Sequence, residues 1–465
     1  STRRCRYFLS LISQPLLRAI ARTPAPDATL ANLVRVSDSL GGKGVLWELF
    51  HCHRPSLDLY VKLCSSSPYL TAILTRYPGM IDELMDSLML AELPSLVDMQ
   101  VMLEDLVGGG TQDLDLVLHG FKNTQHLNVG VRELIGQADI RDSTRVLSDV
   151  AEACLQRIAH HEYQALLRKL GEPRAGEVTC GFVILGMGKL GGREPNYHSD
   201  VDFVMVYEAD GQTYHPPTIR HRKTTSNQHF FGELAKRVVQ AVSENRAHGR
   251  LYESDPHRRP IGKAGPAAVS LERFRSFYLE EPQRFTELRE FCRARPVFGP
   301  EPLRAKATDI LREVLTDAVV TELDSESIRQ ARDELERTAG PRNLKRGPGG
   351  MMDVEFLTQA LQLRHAKSVP QILRTNTVDC LTALGEHFLI PQEDCEQIAE
   401  SYLFLRRVEA MLRLLNTTAR HDLPRESDEL AKLSYLLGFE RTGDLERECA
   451  KRAELNRRLF EKLLE

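Results

Sequence analysis

Two acidic residues, Asp200 and Asp202, stand one residue apart just after a cluster of glycines. The apolar run at 181–185 and the β-rich run at 201–207 are typical of strands. Side chains two positions apart in a strand point to one face, so we expect the two carboxylates to lie side by side. They repel each other unless a cation lies between them, and Mg²⁺ suits such ligands when substrate phosphates complete its coordination. With a glycine turn that lets the backbone approach phosphate, the pattern predicts nucleotidyl transfer.

Two other interpretations of this stretch remain open. The glycines at 186–191 match G-x-G-x-x-G, and Glu208 follows at the distance typical of a dinucleotide site. That site also needs a crossover helix, and only residues 192–199 are present for it, with Pro195 among them. The stretch is not a Walker A motif, because no Ser or Thr follows Lys189. The remaining interpretation is a surface hairpin with solvated acids, since Asp is common in turns.

The segment 186–202, Gly-Met-Gly-Lys-Leu-Gly-Gly-Arg-Glu-Pro-Asn-Tyr-His-Ser-Asp-Val-Asp, resembles the signature of the glutamine synthetase adenylyltransferase family. Similar blocks at 251–260 and 344–356 follow in the family's order, and the resemblance covers roughly residues 30–465. Proteins of this family carry two related halves. Each half holds a polymerase-β-like nucleotidyltransferase domain followed by a helical bundle. The resemblance therefore implies an α+β, mostly helical chain, in which such a domain is flanked by helical segments and followed by a C-terminal bundle.

A third carboxylate, Asp255, ends a segment that we predict as a strand. Period-two alternation in that strand would place Leu251, Glu253 and Asp255 on one face. The sequence at 255–260, Asp-Pro-His-Arg-Arg-Pro, resembles the family's Asp-x-Arg-Leu-Arg-Pro, with Arg259 in place of the usual leucine. The alternative is an edge strand that ends in a charged, solvated turn.

The resemblance implies a role for each matching residue. Asp200, Asp202 and Asp255 are expected to be the catalytic residues and to bind two Mg²⁺ ions, with ATP as the substrate. Asp255 is expected on the side of the attacking hydroxyl, where it helps to remove the proton. Nucleotide or phosphate contacts are expected from Gly186, Gly188, Lys189, Gly191, Gly192, Ser199 and Arg258. Residues expected to support the site from further away are Glu253, Glu287, Lys345, Asp353 and Glu355.

Two blocks after the site also bear on the function. Glu287 matches the family's Trp-Glu pair, but Thr286 stands where the tryptophan is usual. The block at 343–356 resembles Leu-Lys-x-Gly-x-Gly-Gly-Ile-x-Asp-Ile-Glu-Phe. Its acids, Asp353 and Glu355, fit a role near the catalytic groove, and they also fit ordinary helix-start electrostatics.

Composition narrows the class of protein. The 465 residues suffice for about three domains, and 42% hydrophobic with 27% charged residues is ordinary for a soluble globular chain. The net charge of −4 argues against a nucleic-acid partner. No apolar run approaches the about 18 residues of a membrane span, and the N-terminus has no signal-peptide pattern. Nine scattered cysteines without a C-x-x-C pair are typical of a cytoplasmic protein.

Periodicity predicts the elements around the site. Residues 1–30 are basic and mixed and predict an arm; the chain begins without methionine, which suggests a processed or excised segment. Helical spacing follows with breaks at prolines including Pro78, and Gly108-Gly109-Gly110 suggests a first boundary. Further expectations are a helix from Ser143 or Thr144 to about Lys169, an exposed loop over 211–226 and a helix over about 227–245. In the bundle, Arg406, Arg407 and Arg413 are expected on a solvated face. The predicted domains are 1–115 (helical), 116–305 (catalytic) and 306–465 (bundle).

The resemblance also implies a reaction. The family's first half removes AMP from a tyrosine of glutamine synthetase by phosphorolysis, and its second half attaches AMP from ATP. The Asp353-Val-Glu355 sequence is similar to the second half, so we expect adenylylation of glutamine synthetase. Phosphorolytic deadenylylation, a nucleotidyltransferase with another target and a regulatory module of the same fold are the alternatives. The family responds to the PII signal protein, which is therefore a possible second partner.

Overall fold

The structure is a computed structural model that describes the chain except for residues 1, 40–42, 78–79, 81–92, 109–112 and 216–223. Three expectations lie wholly or partly outside the described residues: the helix break at Pro78, the Gly109-Gly110 part of the first boundary, and the 216–223 part of the exposed loop. Within the described ranges the chain is mostly helical with small sheets, which confirms the α+β prediction. No helix in those ranges is both long and apolar enough to span a membrane.

Helices alone make up the first part of the described chain. They are α1 (Arg3–Ala21), α2 (Pro26–Ser39), α3 (Lys43–Cys52), α4 (Arg54–Ser66), α5 (Pro68–Arg76), α6 (Leu96–Gly108) and α7 (Leu114–Ile135). The prediction of an arm over residues 1–30 is wrong. Ile12, Leu16 and Ile20 recur every four residues and form a buried stripe on α1, so α1 packs as an amphipathic helix.

The central part combines helices with three sheets. Its helices are α8 (Ile140–Leu170), α9 (Gly188–Gly191), α10 (Asn227–Ser243), α11 (Leu271–Glu280), α12 (Phe285–Leu288), a 3-10 turn (Arg289–Arg293) and α13 (Glu301–Asp317). Its strands are β1 (Glu172–Ala175), β2 (Val178–Thr179), β3 (Phe182–Gly186), β4 (Phe203–Tyr207), β5 (Gln212–Tyr214), β6 (Ala268–Ser270), β7 (Gln283–Arg284), β8 (Arg295–Phe298) and β9 (Val320–Thr321). The four-stranded sheet has the order β6-β4-β3-β8, with β3 antiparallel to β4 and β8, and with β4 parallel to β6.

Both predicted central helices are present, with one corrected start. Helix α8 begins earlier than expected, because the Asp139 side chain caps it by accepting from the Asp142 amide. Helix α10 begins after Ser226, whose hydroxyl caps it in the same way. These two helices pack against each other, and α10 also packs against β4 and β6.

The predicted strand over residues 251–255 is wrong. Leu251 is buried while Glu253 and Asp255 are exposed, so the three do not share one environment. The segment is held by single backbone bonds, such as that from the Val201 amide to the Glu253 carbonyl at 2.8 Å, and Pro256 follows it. The third strand beside β4 is β6 instead, because Ala268–Ser270 offers the parallel pairing.

The C-terminal part is the expected helical bundle. It contains α14 (Ser325–Glu336), α15 (Met351–His365), a 3-10 turn (Pro370–Ile372), α16 (Thr377–Glu386), α17 (Gln392–Leu414), α18 (Ser427–Leu437) and α19 (Thr442–Leu464). Helix α17 packs against α15, α16, α18 and α19, and it also reaches α8 and α5. The expected solvated face is wrong for two of its three arginines. Arg407 is exposed, but Arg406 and Arg413 are only 2% and 4% exposed.

Gly191 lies where two backbone segments approach each other so closely that no larger residue fits. A Cβ atom on Gly191 would lie 1.7 Å from the carbonyl oxygen of Arg293, so a larger residue forces the 3-10 turn away from α9. Gly120, inside α7, is a useful contrast. A Cβ atom there would meet no atom of the described residues within 4 Å.

These glycines give opposite stability predictions. Gly191→Ala should destabilise the protein by about 1–3 kcal/mol through overpacking. Gly120→Ala should stabilise it by about 0.5–1 kcal/mol, because alanine is the better helix former. Thermal unfolding followed by circular dichroism measures both, and a Gly191→Ala variant as stable as wild type would contradict the close packing.

A buried carboxyl joins α7 to the segment before the acidic pair. The Tyr197 hydroxyl donates to Glu133 at 2.8 Å, and Tyr197 is fully buried. Burial raises the pKa of Glu133 to about 7, although Tyr197 and Arg407 oppose the increase. The folded protein therefore binds a proton at Glu133 at pH values where the unfolded chain has released it.

The pH dependence of stability tests this carboxyl. The contribution of Glu133 to the stability of the wild-type protein should decrease as the pH rises from about 4.5 to about 7 and should then level off. Glu133→Gln removes this loss, so its melting temperature relative to wild type should rise over that window. Glu104→Gln, at an exposed site on α6, should show no such trend. A flat difference for both variants would contradict the raised pKa.

Candidate active site

The acidic pair lies directly before β4 and beside the glycine turn. The Met187 amide donates to the Asp202 carbonyl at 2.8 Å, which ties the end of β3 to the start of β4. Gly188 has a φ of 52°, a conformation that favours glycine. A Cβ atom on Gly188 would lie 3.6 Å from Asp202 Oδ2, so the turn passes close to this carboxylate. Asp200 is exposed and Asp202 is partly buried.

The structure brings the three predicted aspartates into one electrostatic neighbourhood. Burial raises the pKa of Asp202, Arg258 opposes that increase, and the nearby carboxylates of Asp200, Glu290 and Asp255 add to it. These carboxylates do not form a ready-made cage, because no group of three His, Cys, Asp or Glu side chains in the described ranges is arranged to hold a metal ion. Clustered carboxylates are the hard oxygen donors that Mg²⁺ prefers, and Mg²⁺ commonly uses one or two of them with substrate phosphates. Asp200 and Asp202 fit that pattern.

Arg258 forms an ion pair with Asp202. Its guanidinium contacts Asp202 Oδ2 at 3.1 Å and Glu290 Oε2 at 2.6 Å. Glu290 was missed by the sequence interpretation, which chose Glu287, an exposed residue one helical turn earlier. In the sequence, the only indication of Glu290 was its position three residues after Glu287. Arg258 therefore bridges Asp202 and Glu290.

Lys189 lies in a buried charge cluster and is not free at the surface. Its Nζ contacts Glu355 at 3.0 Å, and Arg293 contacts Glu355 at 3.3 Å and Glu194 at 3.0 Å. The Tyr402 hydroxyl donates to Glu194 at 2.8 Å. Burial alone would raise the pKa of Glu355, but Arg293 and Lys189 hold it well below its usual range. Burial lowers the pKa of Lys189 to about 8.

The other supporting residues lie in three places: near this cluster, in a separate buried ion pair and at the surface. Lys345 is near enough to Glu355 to help lower its pKa. Asp353 belongs to a separate, fully buried ion pair with Arg332, which packs α14 against α15. Glu253 forms an exposed pair with Arg250 at 3.0 Å.

The remaining predicted contacts lie along the glycine turn and its exit. Gly186 ends β3, and Gly192 follows α9, where its carbonyl accepts from Asn376 at 3.1 Å. The Ser199 hydroxyl accepts from the Asn196 amide at 2.8 Å and from Arg413 at 3.0 Å. Ser199, the residue immediately before Asp200, is thus fixed by hydrogen bonds from Asn196 and Arg413.

A cavity of about 330 Å³ opens beside Arg258. Apolar side chains of β4 and α10 form much of its wall, and basic side chains of Lys236, Arg258 and Arg259 also line it. Its size falls within the range of small-molecule sites. An apolar wall beside positive charge suits a ligand with an aromatic and an anionic part.

Together these features define an α+β protein with a carboxylate-rich site at one end of a small sheet. The sequence pattern of the glutamate-ammonia ligase adenylyltransferase family matches residues 57–310, and that of the GlnD PII-uridylyltransferase family matches residues 318–464. Because the first match covers more than half of the chain, the chain belongs to the glutamate-ammonia ligase adenylyltransferase family.

Several curated relatives carry one name, bifunctional glutamine synthetase adenylyltransferase/adenylyl-removing enzyme. The relative from Idiomarina loihiensis is 30% identical over 419 residues, which cover 87% of this chain and 43% of the relative. That from Thioalkalivibrio sulfidiphilus is 29% identical over 434 residues, covering 92% of this chain and 44% of the relative. That from Xanthobacter autotrophicus is 28% identical over 471 residues, covering 99% and 46%. The chain thus spans less than half the length of these relatives.

Substitutions at the ion pair test the electrostatics of the site. Asp202→Asn should raise the melting temperature near neutral pH, because it removes a charge that burial and neighbouring carboxylates disfavour. Arg258→Ala should lower stability by about 1 kcal/mol, because it leaves those carboxylates without their cation. Asp309→Asn, at an exposed position on α13, is the control and should change little. A destabilised Asp202→Asn variant would contradict the crowding of charge.

Proposed function

We propose that this chain transfers AMP from ATP to a tyrosine hydroxyl of glutamine synthetase and releases pyrophosphate. The observation that carries the proposal is the cluster of carboxylates around Asp202, which lies beside the Gly188 turn in a chain of this family. The names of the relatives supply glutamine synthetase as the target.

Each residue of the site has a role in this reaction. Asp200 and Asp202, with Asp255 and the phosphates, would hold two Mg²⁺ ions. Bound Mg²⁺ supplies positive charge that lowers the pKa of the attacking hydroxyl and stabilises the departing pyrophosphate. Asp255 is exposed and takes the proton of the hydroxyl. Arg258 exchanges its contact with Glu290 for the phosphates, which it neutralises.

The cavity beside Arg258 accommodates the nucleoside. Its apolar wall along β4 receives the base, while Arg258 and Arg259 face the charged part of the nucleotide. Lys189 acts from a distance. Its pairing with Glu355 holds α9 against the bundle, and it does not touch phosphate directly.

We infer the direction of the reaction from the Asp353-Val-Glu355 sequence, which resembles the adenylylating half. Phosphorolytic removal of AMP is the second candidate, because the relatives' names include an adenylyl-removing activity. The PII signal protein is a possible regulator, since residues 318–464 match a PII-uridylyltransferase pattern. A cytoplasmic location is proposed from the scattered cysteines, all nine of which are free in the structure.

A labelling assay tests the reaction. The protein is mixed with Mg²⁺, α-labelled ATP and purified glutamine synthetase, beside an Asp200→Asn/Asp202→Asn double variant and an Asp309→Asn control. Label should move to glutamine synthetase with wild type and with Asp309→Asn, and the double variant should lose at least a hundredfold in rate because its metal ligands are gone.

Other outcomes of this assay assign other functions. Release of AMP from modified glutamine synthetase by phosphate would support deadenylylation. Binding of Mg²⁺ and ATP without any labelling would remove glutamine synthetase as the target, and no ATP binding would favour a regulatory module. An unchanged labelling rate after addition of PII signal protein would remove the second partner.

A further inference from the structure

The segment 194–199 leads from the glycine turn into Asp200, and a helix of the bundle holds it. Arg406 on α17 donates to the Glu194 carbonyl. Arg413, two turns further along the same helix, donates to the Tyr197 carbonyl at 2.6 Å and to the Ser199 hydroxyl at 3.0 Å. The polypeptide just before Asp200 is thus fixed from a different part of the chain.

Glu409 lies at the centre of these contacts. It is fully buried and accepts from Arg406 at 2.5 Å, Arg413 at 3.1 Å, His421 at 2.9 Å and the Asn196 side chain at 3.3 Å. Burying such a cluster costs desolvation that an apolar core would avoid, so its gain in stability is small. What the cluster provides is a fixed direction for each arginine.

The backbone next to Asp200 is in an unusual conformation. His198 has a φ of 57°, which a non-glycine residue adopts only where its surroundings enforce it. Its ring contacts the Tyr69 ring edge-on with centroids 4.4 Å apart, and its Nε2 lies 3.3 Å from the Asn416 carbonyl. Arg413 donates to the residues on both sides of His198 and so helps to stabilise this conformation.

We propose that Arg413 is a positioning residue for the catalytic carboxylates: by holding Tyr197 and Ser199, it sets where Asp200 and Asp202 meet Mg²⁺ and ATP. The proposal rests on the proposed function for the identity of the ligands. Arg413 is close enough to Asp200 for the two charges to interact, although burial is the largest influence on the pKa of Arg413 and lowers it. It does not need to touch the substrate.

Arg413→Lys tests this role, with Arg406→Lys as the matched control. Both arginines are buried on α17 and both bind Glu409, but Arg406 contacts the segment six residues before Asp200. The readout is the Mg²⁺ concentration that gives half-maximal ATP binding, which requires no acceptor protein. Arg413→Lys should raise it on the order of tenfold, the usual cost of losing a residue that orients metal ligands. Arg406→Lys should raise it much less for a similar loss in melting temperature.

A second variant separates positioning from folding. Ser199→Ala removes one contact of Arg413 and leaves Glu409 with all its donors, so it should fold normally. It should raise the Mg²⁺ concentration needed for half-maximal ATP binding less than Arg413→Lys does. The effects of the two substitutions should not add in the double variant, because both disrupt the contact between Arg413 and Ser199. Equal shifts for Arg413→Lys and Arg406→Lys, or full additivity with Ser199→Ala, would overturn the proposal. A protein that binds ATP with Mg²⁺ but does not label glutamine synthetase would refute the proposed function and leave this test intact.

Discussion

Repulsion among carboxylates at one end of the small sheet is the constraint to which the rest of the site responds. Asp202 is partly buried, and three other acids lie near enough to raise its pKa. Arg258 relieves the crowding by contacting both Asp202 and Glu290. In the proposed reaction, a Mg²⁺–nucleotide complex would bring charge of both signs, with the cation at the aspartates and the phosphates at the arginine.

Charge is also balanced in the interior, where two buried acids are each paired with two cations. Glu355 is paired with Lys189 and Arg293, and Glu409 with Arg406 and Arg413. Removing one member of such a cluster leaves an uncompensated buried charge, which is more costly than the cluster is stabilising. The clusters therefore fix the relative position of the sheet and the bundle more than they add to stability. The Glu409 cluster contacts the segment 194–199, which leads into Asp200.

Local pattern was sufficient to predict the parts of the fold that depend on periodicity. The strands around the glycine turn, the helix after Ser226 and the bundle helices all follow from apolar spacing. The segment 251–255 did not, because in the described part of the chain it pairs with no strand and is held by single backbone bonds, such as those to Val201 and Val242. Arg406 and Arg413 were misplaced for a related reason. Charged residues usually face water. These two are buried because Glu409 on the same helix pairs with both, and because oxygen atoms of the distant segment 194–199 also accept hydrogen bonds from them. Glu290 was missed because its partner, Arg258, is distant in sequence.

The two family patterns meet between residues 310 and 318, and the contacts that hold the segment 194–199 join residues on opposite sides of that point. Asp200, Asp202 and the turn at 194–199 lie in the first match, while Arg413 and Glu409 lie in the second. The boundary between the two sequence matches therefore does not separate the candidate site from the residues that hold it. The sheet supplies the carboxylates, but the helix that fixes the backbone before them belongs to the bundle. Arg413 on α17 donates to both Tyr197 and Ser199, so the bundle directly contacts the residues that precede Asp200.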